Sequence, residues 1–140
     1  LKKFDFSMRK QQLYRRKVYV ADPALAHRLG FNFSANIGRV LENIVYLELM
    51  RRNKEVYYHS GKYECDFVVK EGLIVSSAIQ VAYRLHSDNY EREYRGLEEA
   101  MKTYDTTYAL LLVYEKDESV PLKEGIELKY VWKWLLENEA

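Results

Sequence analysis

The sequence predicts an α/β fold in which a mixed central sheet of about four or five strands is flanked by helices. Three observations carry this prediction. Apolar residues recur with helical spacing in two long segments, short β-prone runs lie between them, and a nearly continuous apolar run at 108–114 follows the second. A length of 140 residues and an apolar fraction of 48% suit one domain with its own core.

The first predicted elements are short. Residues 17–20, Lys-Val-Tyr-Val, form a β-prone run. Asp22 can cap a helix, and Pro23 suits the first helical position. We therefore expect a short helix from Pro23 to about Leu29 that ends at Gly30 and is followed by a loop.

A long helix is predicted next, from about Ile37 to Arg52, because its apolar side chains have the spacing of a buried face. Three extended runs follow at 55–59, at 64–70 and within 73–83. Tight turns at Ser60-Gly61 and Glu71-Gly72 separate these runs. Short connections of this kind predict an antiparallel meander.

The second half of the chain predicts a helix over about 88–104, the apolar strand 108–114, a last strand at 126–130 and a last helix at 131–136. Because a helix separates the third and fourth strands, we expect these two strands to run parallel. The predicted order from Ile37 is therefore α, β, β, β, α, β, β, α.

Several classes of protein are not expected from this sequence. It contains no GxxxxGK[ST] phosphate-binding loop, so the chain by itself is not expected to hydrolyse ATP. No apolar run approaches the roughly 20 residues of a membrane-spanning helix, and no signal peptide is visible. Cys65 is the one cysteine and cannot form an internal disulfide. We expect a cytoplasmic protein without membrane contact, and the absence of an initiator Met suggests part of a longer chain.

Positive charge is concentrated at the N-terminus. Residues 1–20 have a net charge of +6, whereas the whole chain has +1. Lys10, Arg15, Arg16 and Lys17 are therefore candidates for contacting nucleic-acid phosphates or an acidic partner. A solvated connector is the alternative. We assign residues 1–16 to a basic linker or to the end of a preceding domain, and 17–140 to the domain itself.

Three oxygen-bearing side chains stand in unusual places. Asp66 lies within a predicted strand, where Asp is depleted, and Glu42 lies on the most apolar helix. Gln80 interrupts the core of the third strand. If the helix and the two strands pack together, these oxygens could form a site for a hard cation such as Mg²⁺. Carboxylates at the surface of the helix and strand with polar partners would give the same pattern, and spacing alone does not decide.

The residues also carry a family resemblance. The matching stretches, in order, are KVYVADPALAHRLG (17–30), GRVLENIVYLELMRRNKEVYYH (38–59), ECDFVV (64–69), AIQVAY (78–83), EREYRGLEEAM (91–101) and VWKWLL (131–136). Together they resemble the uncharacterised C-terminal domain found downstream of the ATP-binding core in archaeal-type AAA ATPases. This family is similar to the PD-(D/E)xK nuclease superfamily, so the resemblance implies a restriction-endonuclease-like core.

The nuclease pattern is incomplete in this chain. In the superfamily a helical Glu, a strand Asp and a (D/E)-x-K on the next strand bind Mg²⁺ and activate water. Glu42 matches the helical Glu and Asp66 the strand Asp. Gln80 falls where the second acid belongs, and Ala82 where the catalytic Lys belongs. The neutral amide of Gln80 supplies no negative charge, and the methyl group of Ala82 supplies no positive charge. We therefore expect a degenerate active site unless Lys62 or Arg84 replaces the missing Lys.

The resemblance therefore implies a non-catalytic interaction or regulatory domain. Its expected partner is the ATPase core of the same polypeptide, with ATP bound only in the missing N-terminal part, although a separate protein partner is possible. One alternative is a Mg²⁺- or Mn²⁺-dependent nuclease acting on DNA or RNA, with Glu42, Asp66 and Gln80 as metal ligands. A second alternative is a nucleic-acid-binding module that does not cleave.

Overall fold

A computed structural model describes residues 1–22, 24, 28 and 37–137. The elements in chain order are α1 (Met8–Leu13), α2 (Ile37–Arg51), β1 (Glu55–Ser60), β2 (Glu64–Glu71), β3 (Ile74–Leu85), α3 (Tyr90–Tyr104), β4 (Ala109–Lys116), β5 (Glu127–Tyr130) and α4 (Val131–Leu136). The helix expected from Pro23 to Leu29 lies mostly outside the described residues.

The five strands form one mixed sheet in the order β1-β2-β3-β4-β5. β1 pairs antiparallel with β2, and β2 pairs antiparallel with β3. β3 runs parallel to β4, and β4 runs parallel to β5. The predicted meander and the parallel crossover through α3 are therefore confirmed.

Helices cover both faces of the sheet. On one face, α2 packs through Leu41, Val45 and Leu49, and α4 through Val131 and Trp134. On the other face, α3 packs through Tyr94, Leu97 and Ala100. β4 serves both layers, because Leu110 and Leu112 belong to the first core and Leu111 and Val113 to the second. This explains why its sequence is continuously apolar rather than alternating.

The N-terminal segment has two features that the sequence did not predict. Residues 17–20, expected to be β-prone, do not join the sheet: the Lys17 amide bonds to the Leu1 carbonyl, and the Val20 backbone bonds to the Asn43 side chain. Residues 1–16, expected to be a linker or the end of another domain, pack against this fold. Lys3 forms an isolated parallel bridge with Tyr58, and Phe4 is buried in the core.

α3 approaches the sheet closely at Gly96. A Cβ atom at this position would lie 2.0 Å from the carbonyl oxygen of Glu64 on β2. A real Cβ cannot occupy that distance from a backbone atom, so glycine sets the distance between helix and strand. This contact also places the N-terminal half of α3 beside the polar side chains of β2 and β3.

We predict that Gly96→Ala lowers the free energy of unfolding by about 1–3 kcal/mol, the usual cost of overpacking. Helix propensity alone would favour alanine by about 1 kcal/mol, so the sign of the change separates the two effects. Urea denaturation measures it. Lys102→Ala, on the exposed side of the same helix, is the control and should change stability little. A stabilised Gly96→Ala protein would show that α3 does not approach Glu64 this closely.

Candidate functional site

The candidate site lies where β2 and β3 stop pairing. The ladder between these strands ends at Phe67 and Ile79. Beyond that point side chains replace the backbone bonds: the Asp66 N–H donates to Gln80 Oε1 at 3.0 Å, and the Val81 N–H donates to Asp66 Oδ2 at 3.0 Å. Asp66 and Gln80 are both buried. These two mid-strand polar residues therefore satisfy backbone groups that would otherwise lack partners.

Lys17 joins the two acids that the sequence singled out. Its ammonium nitrogen lies 3.1 Å from Asp66 Oδ1 and 3.3 Å from Glu42 Oε1. The side chains of Lys17, Glu42 and Asp66 are only 23%, 20% and 10% exposed. The Tyr19 hydroxyl also donates to Glu42 Oε1. Glu42 on α2 and Asp66 on β2 thus face one position, and an ammonium group occupies it.

The charges in this cluster depend on one another. Burial, followed by the negative charge of Glu42, raises the pKa of Asp66 to about 7. Burial alone would lower the pKa of Lys17, but the charges of Asp66 and Glu42 outweigh it and the pKa is raised. Burial and the neighbouring Glu42 also raise the pKa of the Tyr19 hydroxyl. Lys17 therefore keeps its positive charge at neutral pH.

Gln80 does not complete a three-ligand set. Its Oε1 accepts the Asp66 N–H, and its Nε2 donates to Glu93 Oε2 at 2.7 Å. Glu93 is a buried residue of α3 that also binds Arg92 at 2.6 Å. The amide of Gln80 thus suits its neighbours, because a carboxylate there would face Glu93. Sequence reasoning missed Glu93, since it stands in a charged stretch of helix with nothing to mark it as buried.

The two basic residues named as replacements for a catalytic Lys, Lys62 and Arg84, are engaged elsewhere. Ala82 is buried beneath α3, in the core that contains Tyr94 and Leu97. Lys62 lies over the ring of Tyr63, with its nitrogen 5.6 Å from the ring centroid. Arg84 forms an ion pair with Asp117 at 2.9 Å. Lys17 supplies the positive charge instead, from the N-terminal segment.

The four basic residues proposed to contact nucleic acid or a partner do not act together. Lys10, Arg15 and Arg16 are exposed. Lys17 is half-buried, and its charge is directed into the protein. Three of the four thus remain accessible to a partner.

Asn43, next to Glu42 on α2, was not anticipated. It is 3% exposed. Its side-chain oxygen accepts the Val20 N–H at 2.8 Å, and its amide nitrogen donates to the Val20 carbonyl at 3.0 Å. The adjacent residues Glu42 and Asn43 therefore both hold the segment that contains Lys17. The signal available in the sequence was an Asn on an apolar helix, next to the candidate site residue Glu42.

As arranged here, the donor set does not fit Mg²⁺ or Mn²⁺. Both carboxylates face an ammonium ion, and the Gln80 oxygen is engaged by a backbone N–H. Across the described ranges, no group of three or more His, Cys, Asp and Glu side chains converges as metal ligands would. A divalent cation would need the position that Lys17 holds.

A second polar cluster lies at the hairpin between β1 and β2. The buried His59 bonds through Nε2 to Glu99 and through Nδ1 to the Tyr104 hydroxyl, each at 2.8 Å. Burial would raise the pKa of Glu99, but hydrogen bonds from His59 and the Tyr63 backbone lower it. An ionised Glu99 only accepts, so Nε2 of His59 donates to it. This cluster fastens the hairpin to α3.

The raised pKa of Asp66 predicts a particular pH dependence. Below about pH 7 the folded protein binds a proton that the unfolded chain, with an ordinary pKa of 3.8, still releases. The contribution of this group to the free energy of unfolding should therefore rise as the pH falls from 8 to 5. Urea denaturation across this range should show that Asp66→Asn removes this contribution, while Asp88→Asn, at an exposed position, keeps it. Parallel profiles for the native protein and Asp66→Asn would contradict the assignment.

In the part of the chain that the structure describes, none of the helices combines the length and apolar character that a membrane crossing requires. The chain is similar to a protein of Methanocaldococcus jannaschii described as uncharacterized protein MJ1544, with 34% identity over 148 residues. The alignment covers 94% of this chain and 32% of the relative, so the chain spans about a third of that protein's length. No protein-family model and no solved structure matches the chain.

Proposed function

We propose that this chain is a non-catalytic interaction or regulatory domain of a larger cytoplasmic protein, an AAA-type ATPase, and that it contains a degenerate nuclease-like site. The observation that carries the proposal is the position of Lys17. Its ammonium group lies within 3.3 Å of both acids, where a nuclease would need a divalent cation.

The charges at the site argue against metal-dependent catalysis. Metal-dependent hydrolysis needs a cation that polarises the substrate and lowers the pKa of bound water, and a lysine ammonium does neither as strongly. The neutral Gln80 and the buried Ala82 leave no second acid and no lysine on β3. An internal ion pair instead satisfies the two remaining carboxylates, which is a structural role.

The parent protein is proposed from the sequence resemblance to the C-terminal domain of archaeal-type AAA ATPases. The length of the M. jannaschii relative, about three times the matched region, is consistent with a domain of a longer chain. ATP would bind in the preceding part, and the first partner of this domain would be the ATPase core. Deleting the domain from the full-length protein should then leave ATP binding intact while changing ATPase regulation or assembly.

A nuclease is the second candidate function, because Lys17 could also serve as a catalytic basic group. Lys17 could provide the basic group that Ala82 cannot, if it moved aside to admit Mg²⁺ or Mn²⁺ between Glu42 and Asp66. A third candidate, nucleic-acid binding without cleavage, is supported by the exposed Lys10, Arg15 and Arg16. Binding of that kind should weaken steeply with added salt.

Calorimetric titration with Mn²⁺ separates the first two candidates. We predict no binding heat for the native protein at millimolar Mn²⁺, because the ammonium of Lys17 already occupies the position that both acids face. Lys17→Met removes that charge and should create measurable Mn²⁺ binding, which the double variant Lys17→Met/Asp66→Asn should lose. Lys10→Met, an exposed charge on the same segment, is the matched control.

Plasmid cleavage provides the direct test of catalysis. The native protein should show no divalent-dependent cutting above that of Asp66→Ala. If the native protein binds Mn²⁺ and cuts plasmid DNA or RNA, and Asp66→Ala abolishes both, then the domain is a nuclease and the non-catalytic proposal is wrong.

A further inference from the structure

Residues 17–20 lie against α2 as an extended segment with alternating side chains. Lys17 and Tyr19 face the protein, whereas Val18 is 87% exposed. The C-cap residue of α1, Tyr14, is also extended, so the chain enters this segment without a helix. This alternation is that of an extended strand. The Val20 backbone bonds to the Asn43 side chain, and the Lys17 backbone bonds to Leu1.

Three contacts from α2 and β2 hold this segment, and each recognises a different chemical feature of it. Asn43 binds both backbone groups of Val20, which any residue except proline would offer at that place. The acid pair of Glu42 and Asp66 binds the ammonium of Lys17. Tyr46 stacks on Tyr19, with ring centroids 4.3 Å apart and planes 18° apart.

This combination is how proteins recognise extended peptides. Main-chain hydrogen bonds give affinity, and pockets for alternate side chains give specificity. Here the carboxylates of Glu42 and Asp66 select a primary ammonium group. Tyr46 selects an aromatic ring, and the hydroxyl of that ring donates to Glu42. These contacts therefore recognise the sequence Lys-x-Tyr followed by a residue with a free backbone N–H.

Helix α1 contributes little to holding residues 17–20 in place, whereas Leu1 pairs with the backbone of Lys17. α1 buries none of its residues, and Phe6, Met8 and Leu13 are each at least 75% exposed. Leu1 and Lys17 exchange two backbone bonds, at 2.5 and 2.9 Å. The side chains of Lys17 and Tyr19 and the backbone of Val20 are thus contacted from α2 and β2, whereas the backbone of Lys17 pairs with Leu1.

We propose that Glu42, Asn43, Tyr46 and Asp66 form a peptide-binding groove for an extended Lys-x-Tyr segment, and that residues 17–20 occupy it in cis. A partner protein that presents the same type of segment would compete with the chain's own copy. This inference rests on the proposed function, because a groove that must bind a divalent cation could not also hold a lysine. It adds the chemistry of the partner: an extended strand with a lysine and, two residues later, a tyrosine.

The test uses a fluorescent peptide of residues 13–22 as the partner segment. Its binding is measured by fluorescence anisotropy against the double variant Lys17→Met/Tyr19→Phe, whose own segment binds weakly. We expect saturable binding, and affinity at least about tenfold lower for the native protein because its own segment competes. A peptide carrying Lys17→Met should lose at least about tenfold in affinity, whereas a peptide carrying Val18→Ala should bind like the unmodified one.

A receptor variant provides the control for the groove itself. Asn43→Ala, introduced into the double variant, should weaken binding of the peptide, because the backbone of Val20 loses both its bonds. Equal binding of the Lys17→Met and unmodified peptides, or no binding of either to the double variant, would overturn the proposal. Mn²⁺ titration of the native protein distinguishes the two failures. If the peptide does not bind and Mn²⁺ gives no heat, only the peptide-binding groove is ruled out. If Mn²⁺ gives binding heat, the proposed non-catalytic function is ruled out.

Hydrogen exchange on the native protein gives a second measurement that needs no variant. If residues 17–20 leave the groove, the Val20 amide should exchange through a local opening, well before the core amide of Leu111. Excess peptide should speed exchange at Val20 and leave Leu111 unchanged. Exchange of Val20 only together with Leu111 would show that the segment leaves the groove solely on global unfolding, and would also overturn the proposal.

Discussion

Two carboxylates that face each other away from bulk water must share a positive charge, become protonated or separate, because an uncompensated buried charge is costly. In this protein Glu42 and Asp66 meet that constraint through Lys17, whose ammonium lies between them. The path of the N-terminal segment follows from this ion pair. Lys17 can reach the acids only if residues 17–20 lie along α2, where Asn43 and Tyr46 hold the neighbouring residues.

The same place in the fold explains the other polar residues. β2 and β3 part beyond Phe67 and Ile79, and the side chains of Asp66 and Gln80 take over the hydrogen bonds that a continued ladder would have made. Gln80 then needs an acceptor for its amide, which Glu93 provides from α3. The close approach of this helix at Gly96 keeps that acceptor within reach. An amide rather than a carboxylate at position 80 thus suits its surroundings.

Local patterns predicted most of the fold because periodicity reports burial. The helix α2, the meander and the crossover through α3 were all predicted from apolar spacing and turn residues. The role of Lys17 was not, since its partners lie 25 and 49 residues away in sequence and nothing local marks a surface lysine as half-buried. For the same reason residues 17–20 were expected to be a short β-prone run, although the Asn43 side chain bonds to the backbone of Val20 and Leu1 to that of Lys17. Glu42 and Asp66 could be found because acids are rare on an apolar helix and within a strand. The orientation of Gln80 could not be predicted in this way, because it depends on Glu93, which the sequence pattern does not mark as buried.

A double-mutant cycle on Lys17 and Asp66 measures whether this ion pair holds the two side chains together. The free energies of unfolding are measured for the native protein, Lys17→Met, Asp66→Asn and the double variant by urea denaturation at pH 8. A direct, half-buried ion pair predicts that the two substitutions are not additive, with a favourable coupling of roughly 0.5–3 kcal/mol. Additive effects within about 0.3 kcal/mol would show that Lys17 does not hold Asp66. The acid pair would then require a different positive charge.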